Sequence, residues 1–336
     1  MKALVIEGPN QAVIKEVPYP KPGPGEITVK VEHIGICGTD IHIFRGEYVS
    51  PFPIIPGHEF SGTVFEIGEG VTAWEIGERV SAEPNISCNA CRFCLTQRPN
   101  MCENWNAVGV TLNGAMAEFV VVPARLAVKL PDSMDFETAA FIEPMACVVH
   151  GLNRLQIKIG DRVLLFGAGA MGQQLIQSIA RSGASELVVV DISKAKLDVA
   201  MKYGATKAVE SRNLDAELGD CKGSNGFDIV IDATGIPKII EQALDYMGQT
   251  AKYLQFGVTA MHDQIQIEPF KLFKNDWTIM GSMATNNTFL PAFQWLNEKR
   301  VEVKPLISKT ISLEEAVDFF VQPRDPEDLK VQIKIQ

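Results

Sequence analysis

The chain reads as a β-rich lobe interrupted by an α/β lobe with a parallel sheet. Three observations predict this. Short apolar or alternating runs, punctuated by Gly and Pro, fill the first third. From Asp161 to about Ser282, strand-like runs alternate with helical segments. A closing run, Lys330–Ile335, has strand character again, so the tail is expected to return to the first lobe. Many short strands with Gly/Pro turns suggest a barrel or sandwich. Strand–helix alternation implies a parallel sheet with helices on both faces.

Taken in order, the first-lobe strands are Lys2–Ile6, Ala12–Val17, Glu26–Ile34, Phe60–Ile67 and Arg79–Ala82, separated by turns such as Pro18–Gly25 and Gly68-Glu69-Gly70. A helix is predicted over Phe136–Ile142, stopping before Pro144, with Met145–Asn153 as a second. The parallel strands are Arg162–Gly167, Glu186–Asp191, Ala208–Glu210, Phe227–Ala233, Ala251–Phe256 and Thr278–Gly281. A helix over Phe289–Lys299 and another from near Ser312 precede the closing strand. No internal repeat or low-complexity segment interrupts this plan.

The totals narrow the function classes. At 336 residues, with 46% hydrophobic and 21% charged, the chain holds two globular domains. A net charge of −10 leaves no basic stripe to neutralise phosphates, which argues against nucleic acid. No apolar span approaches the ~18 residues needed to cross a bilayer. Met1–Ile6 runs straight into Glu7-Gly8, so no signal peptide is expected. Seven cysteines, an odd number with four at metal-binding spacing, read as reduced and the protein as cytoplasmic.

Cys88-x2-Cys91-x2-Cys94-x7-Cys102 is the most specific local signal. Four thiolates this close together close tetrahedrally on one Zn²⁺ without help from elsewhere. A disulfide pair is disfavoured in a reducing compartment, and the spacing matches neither ferredoxin pattern. With every position filled by protein, this zinc is structural.

A second metal site, with an open position, is expected elsewhere. Gly35-Ile36-Cys37-Gly38-Thr39-Asp40-Ile41-His42 packs a thiol, a hydroxyl, a carboxylate and an imidazole into one stretch. If Gly38 opens a helix, Thr39 and His42 share a face and can exchange a proton. The bland alternative is a core cysteine beside a capped helix. In Pro56-Gly57-His58-Glu59, His58 and Glu59 reach one ion only if the backbone turns, which Gly57 permits. Glu143 stands alone in an apolar run, and a carboxylate buried there demands a partner or a metal. Cys37, His58, Glu59 and Glu143 together make a mixed S/N/O zinc site with room for water or an alcohol. Which of Glu59 and Glu143 ligates at a given moment stays open.

The cofactor signal is Gly167-Ala168-Gly169-Ala170-Met171-Gly172, which follows a strand and opens a helix. Gly167, Gly169 and Gly172, with Met171 among them, would let the backbone approach a pyrophosphate at the helix N-terminus. Asp191, nineteen residues after Gly172, would bind the ribose hydroxyls and repel a 2′-phosphate, which favours NAD over NADP.

These pieces together resemble the zinc-containing medium-chain alcohol dehydrogenase family over essentially the whole chain. The resemblance implies a GroES-like catalytic domain, residues 1–145 and 284–336, split by a Rossmann NAD-binding domain, residues 146–283. It implies two zinc ions and NAD per chain, and a homodimer or homotetramer. Asp191-Ile192-Ser193-Lys194-Ala195-Lys196 is similar to the family's ribose-binding segment, which adds Lys196 as a ribose contact. Glu143-Pro144 resembles the sorbitol and polyol branch. Sorbitol-type members carry arginine and tyrosine where this chain reads Met283-Ala284-Thr285-Asn286-Asn287, so another polyol or a polyol phosphate is expected.

The expected chemistry is reversible oxidation of a polyol to a ketose. Zinc would acidify the alcohol, Thr39 would relay the proton towards the ribose hydroxyls and His42 and so to solvent, and hydride would go to NAD. Glu59, Glu143 and Asn286 are candidates to hold a neighbouring hydroxyl. A zinc-free NADPH reductase of the same fold would not need Cys37, His58 and Glu143. A non-catalytic NAD-binding zinc protein would carry only the structural ion.

Overall fold

The structure, a computed structural model, describes residues 1–322 and 325–335. It divides into two compact units, Met1–Ala146 with Ala284–Gln336, and Cys147–Met283. No helix among the described residues is long and apolar enough to cross a membrane.

The first unit is organised on the strand Glu26–Gly35, whose Ile27, Val29, Val31 and Ile34 are buried. One edge pairs antiparallel with Glu59–Ile67. The other pairs with Phe119–Pro123 along its first half and with Lys330–Lys334 along its last three residues. Arg79–Ala82, Ala127–Lys129 and Ile307–Ile311 complete a seven-stranded sheet. The tail therefore does return, with Gln332 opposite Gly35. A hairpin, Lys2–Gly8 with Gln11–Glu16, contributes Leu4 and Ile6 to the same core as Leu313 and Phe320 of the helix Leu313–Val321.

The second unit is a six-stranded parallel sheet in the order Lys207–Glu210, Glu186–Asp191, Arg162–Phe166, Phe227–Asp232, Met247–Gln255, Thr278–Gly281. Val163 to Phe166, Leu187 to Val190 and Ile229 to Asp232 are buried without a break, as a sheet covered on both faces requires. Strand order reverses between Arg162–Phe166 and Phe227–Asp232, the switch point where such sheets bind ligands.

One boundary departs from the sequence reading. The helical break falls at Ala140-Phe141, between Phe136–Ala139 and Ile142–Leu155, and not at Pro144. Asp135 caps the first helix by accepting a hydrogen bond from the Thr138 N–H at 2.7 Å. Pro144 sits in the first turn of the second, where its missing N–H has no intrahelical partner to lose. Glu143 is thereby placed at a helix start.

Candidate active site

Cys37 follows the end of the Glu26–Gly35 strand and takes the N-cap position of the helix Gly38–Arg45. Glu59 opens the neighbouring strand directly opposite Gly35. Between the two preceding loops, Gly57 adopts φ +98°, and a Cβ there would lie 2.3 Å from Ile34 Cδ1. Only glycine makes this turn, and the turn brings His58 and Glu59 to one place. The Cys37 sulfur, a His58 ring nitrogen and a Glu59 carboxylate oxygen all lie within 4.8 Å of one another. His58 Nδ1 and Glu59 Oε1 are buried without a hydrogen-bond partner, and Glu59 Oε2 meets the buried Lys330 ammonium. Buried polar atoms are seldom left so, and this S/N/O donor set fits zinc.

Asp40 ties the two ligand loops together. Fully buried, it accepts hydrogen bonds from the Cys37 N–H at 2.8 Å and the Gly57 N–H at 3.2 Å. Its Oδ1 also lies 3.5 Å from His58 Nδ1, the arrangement that orients a metal-binding imidazole. Burial raises the Asp40 carboxyl's pKa, opposed by His58 and the Cys37 N–H. Burial presses on His58 in the opposite sense, but Asp40, Cys37 and Glu143 outweigh it and hold the imidazole well above its usual value. Glu143, itself buried, thus acts on the site through its charge, while standing outside the close-packed trio.

Lys330 arrives from the returning strand and pairs with Glu59, both side chains at most 4% exposed. Burial disfavours its ammonium, yet Glu59, then Cys37 and Asp40, raise its pKa overall. A Cβ on Gly35 would lie 2.2 Å from Glu59 Oε2 and 2.7 Å from Lys330 Cε, so the pair occupies the space that glycine leaves. In the sequence Asp40 is noted only as the carboxylate of its stretch, with no role at the metal, and Lys330 does not stand out. Asp40 reads as an ordinary helix cap, and nothing local to Lys330 signals its partner.

Thr39 and His42 do lie on the helix Gly38–Arg45, as expected. No hydrogen bond joins them among the described residues. His42 Nδ1 instead meets Glu47 Oε2 at 2.9 Å, at a half-exposed position.

The four sulfurs of Cys88, Cys91, Cys94 and Cys102 also gather within 4.8 Å, and all four are free thiols. Backbone N–H groups of Ala90 and Cys91 pull the Cys88 thiol down to about 6. Burial, followed by neighbouring thiols, pushes Cys94 up to about 11. A dication in this cage would draw the remaining protons off.

In the second unit, Gly167 turns at φ +101° and Gly169 caps the helix Ala170–Ile179. A Cβ on Gly172 would meet Gly167 O at 2.0 Å, so strand and helix pack closely at this turn. Met171 stands half-buried in the helix's first turn. Asp191 accepts hydrogen bonds from the Ala168 N–H at 2.7 Å and the Ser193 N–H at 2.9 Å. Lys196, half-buried, is held through its backbone, its N–H donating to Ser193 Oγ and its carbonyl accepting from Gln173.

Residues 23–132 match the family model for the alcohol dehydrogenase GroES-like domain, and residues 170–298 that for zinc-binding dehydrogenases. Over 339 aligned residues the chain is 32% identical to D-arabinitol dehydrogenase 1 of Uromyces fabae, covering 99% of this chain and 97% of that one. The chain belongs to the zinc-binding alcohol dehydrogenase family. Among solved members, a zinc-binding dehydrogenase from Sinorhizobium meliloti 1021 bound to NADP superposes with a TM-score of 0.94, at 32% identity, over 99% of this chain and 98% of that one. An Escherichia coli CFT073 alcohol dehydrogenase complexed with NADH gives 0.89 at 30% identity, over 99% of both chains. This zinc-binding dehydrogenase is an oxidoreductase acting on CH–OH donors.

Proposed function

We propose that the protein oxidises an unphosphorylated polyol to a ketose with NAD, reversibly, at the site built by Cys37, His58, Glu59 and Glu143. The observation that carries this is the meeting of thiol, imidazole and carboxylate within 4.8 Å, with buried donor atoms lacking partners. Zinc held there supplies Lewis acidity that lowers the pKa of an alcohol, and the dinucleotide supplies the hydride acceptor. Cys37 and His58 would hold the ion with Glu59 or Glu143, and Asp40 fixes the His58 ring. Thr39 Oγ1 would accept the proton of the substrate hydroxyl as it gives up its own towards the ribose hydroxyls. His42, whose Nδ1 is engaged by Glu47, would carry the released proton on to solvent through Nε2.

Gly167, Gly169, Met171 and Gly172 cradle the dinucleotide, and Asp191 and Lys196 take its ribose hydroxyls. The Asp191 carboxylate would repel a 2′-phosphate, which supports NAD over NADP. Substrate choice follows similar electrostatics. A phosphate group would approach Asp40, Glu59 and Glu143 with the one ammonium buried among the described residues, Lys330, already paired. The likeness to a D-arabinitol dehydrogenase supports a neutral polyol.

The protein works as a homo-oligomer in the cytoplasm. Supporting assembly, Thr278–Gly281 is an edge strand with Ile279 39% exposed, and Phe270 and Phe273, just ahead of it in the chain, are 71% and 82% exposed. A bare edge and exposed rings favour a second copy.

Purified protein given NAD and a series of tetritols, pentitols, hexitols and their phosphates should form NADH with an unphosphorylated polyol. It should also carry two zinc ions per chain, one for each donor cluster. One zinc per chain and no NADH from any alcohol would instead mark a non-catalytic NAD-binding protein.

A further inference from the structure

The chain leaves the first unit after Ala146 and re-enters it at Ala284. The re-entry, residues 284–288, is a strained turn. Ala284 at φ +50° and Asn287 at φ +56° take a conformation that side-chain-bearing residues avoid. Strain of this kind persists only where surrounding contacts over-determine it.

Two sets of contacts hold the turn, both inside the first unit. Thr288 donates to the Ala146 carbonyl at 2.8 Å and accepts from the Asn286 N–H at 3.2 Å, which ties the re-entry to the exit. Thr285, 3% exposed, donates to Glu83 Oε1 at 2.7 Å and accepts from Asn85 Nδ2 at 3.1 Å. Asn85 belongs to the neck of the cysteine lobe. The neck is the short strand Asn85–Ile86 paired antiparallel with Asn106–Ala107, and the four cysteines lie in the chain between them.

A continuous path therefore runs from a metal ligand to the turn. The Cys102 carbonyl accepts from the Trp105 N–H at 3.1 Å. Trp105 Nε1 donates to Asn85 Oδ1 at 3.1 Å, and Nδ2 of the same amide donates to Thr285. The lobe at the start of this path has no apolar core: of residues 87–105 only Asn100 and Cys102 are buried. Its order therefore depends on an ion held by the thiolates. Coupling along a path needs an element at the far end with two arrangements, and a strained turn supplies one.

We propose that the cysteine lobe is a metal-dependent clamp on residues 284–288. With an ion among the four thiolates, the lobe fixes Trp105 and Asn85, and Asn85 holds Thr285. Without one, the neck loosens and the turn relaxes. The inference rests on the two-zinc reading above and deepens it.

The test is hydrogen exchange by mass spectrometry on the full-length protein, reading residues 284–288, with the Asn286 N–H as reporter. Cys94→Ser, which empties the lobe, should speed exchange there about tenfold relative to zinc-loaded wild type. Asn85→Ala should do the same with both zinc ions still bound. The double variant should exchange no faster than either single one, because the two act along one path. The strands Glu26–Gly35 and Glu59–Ile67 should keep wild-type protection. Should Cys94→Ser not fold, Asn85→Ala carries the comparison.

Wild-type exchange at 284–288 in folded Cys94→Ser overturns the clamp and leaves both zinc sites standing. Wild-type exchange in Asn85→Ala, or acceleration that adds in the double variant, overturns the route through Asn85. Acceleration spread equally over the two strands in a folded variant overturns the clamp as well. A wild-type lobe that holds no zinc overturns the two-zinc reading and this inference with it.

Discussion

Lys330 and Glu59 are two opposite charges taken out of water together, and each depends on the other. Breaking such a pair by removing one partner costs about 3–5 kcal/mol, because the survivor stays buried and uncompensated. Lys330→Met should therefore lose about that much in metal-free protein, read from denaturant melts. Zinc loading should shrink the loss, since a cation beside Glu59 replaces the ammonium. An equal loss with and without zinc would place Glu59 away from the ion. The pH sign follows from the raised folded-state pKa of Lys330. Its stabilisation is fully present below the unfolded value near ~10.4 and fades as pH climbs through the folded one. Cys37, His58 and Glu59 are legible in sequence because their donor chemistry is unusual for the company they keep. Asp40, Lys330 and Glu47 are not, because burial and distant pairing give them their roles.

At the scale of elements, the cysteine lobe shows how a short segment depends on its ion. Its thiols are unequal, with Cys88 drawn down to about 6 and Cys94 pushed up to about 11, so without metal the lobe does not hold four thiolates at neutral pH. Zinc affinity there should rise with pH as Cys94 yields its proton, as competition with a chromogenic chelator would measure. Cys94→Ser should leave one zinc per chain and lower the melting temperature by at least about 5 °C in calorimetry. Periodicity and turn residues made most elements readable, including Arg79–Ala82, Glu186–Asp191 and Thr278–Gly281, whose observed bounds coincide with the expected ones. Phe119–Pro123 and Ala127–Lys129 escaped because both are short, and pairing partners far along the chain sustain them. The misplaced break at Pro144 has a different cause: proline stops a helix interior but not its first turn.

For the whole molecule, an α/β unit interrupting a β-rich one was legible because the hydrophobic period changes twice along the chain. The edge proposed for assembly was not, since a free sheet edge becomes visible only when the strand order is known. Ile279→Lys, a charge placed on that edge, should shift the protein to a smaller species in light scattering while each chain stays folded. An unchanged mass would move the contact elsewhere. The returning strand carries a consequence for how the molecule is made. Glu59 and Lys330 lie on either side of the entire Cys147–Met283 unit, and translation proceeds at about 5–20 residues per second, so Glu59 waits roughly 15 to 55 s for its counter-charge. During that interval the nascent chain presents thiol, imidazole and an unneutralised acid to any passing cation. Metal capture can therefore precede completion of the sheet that will enclose it.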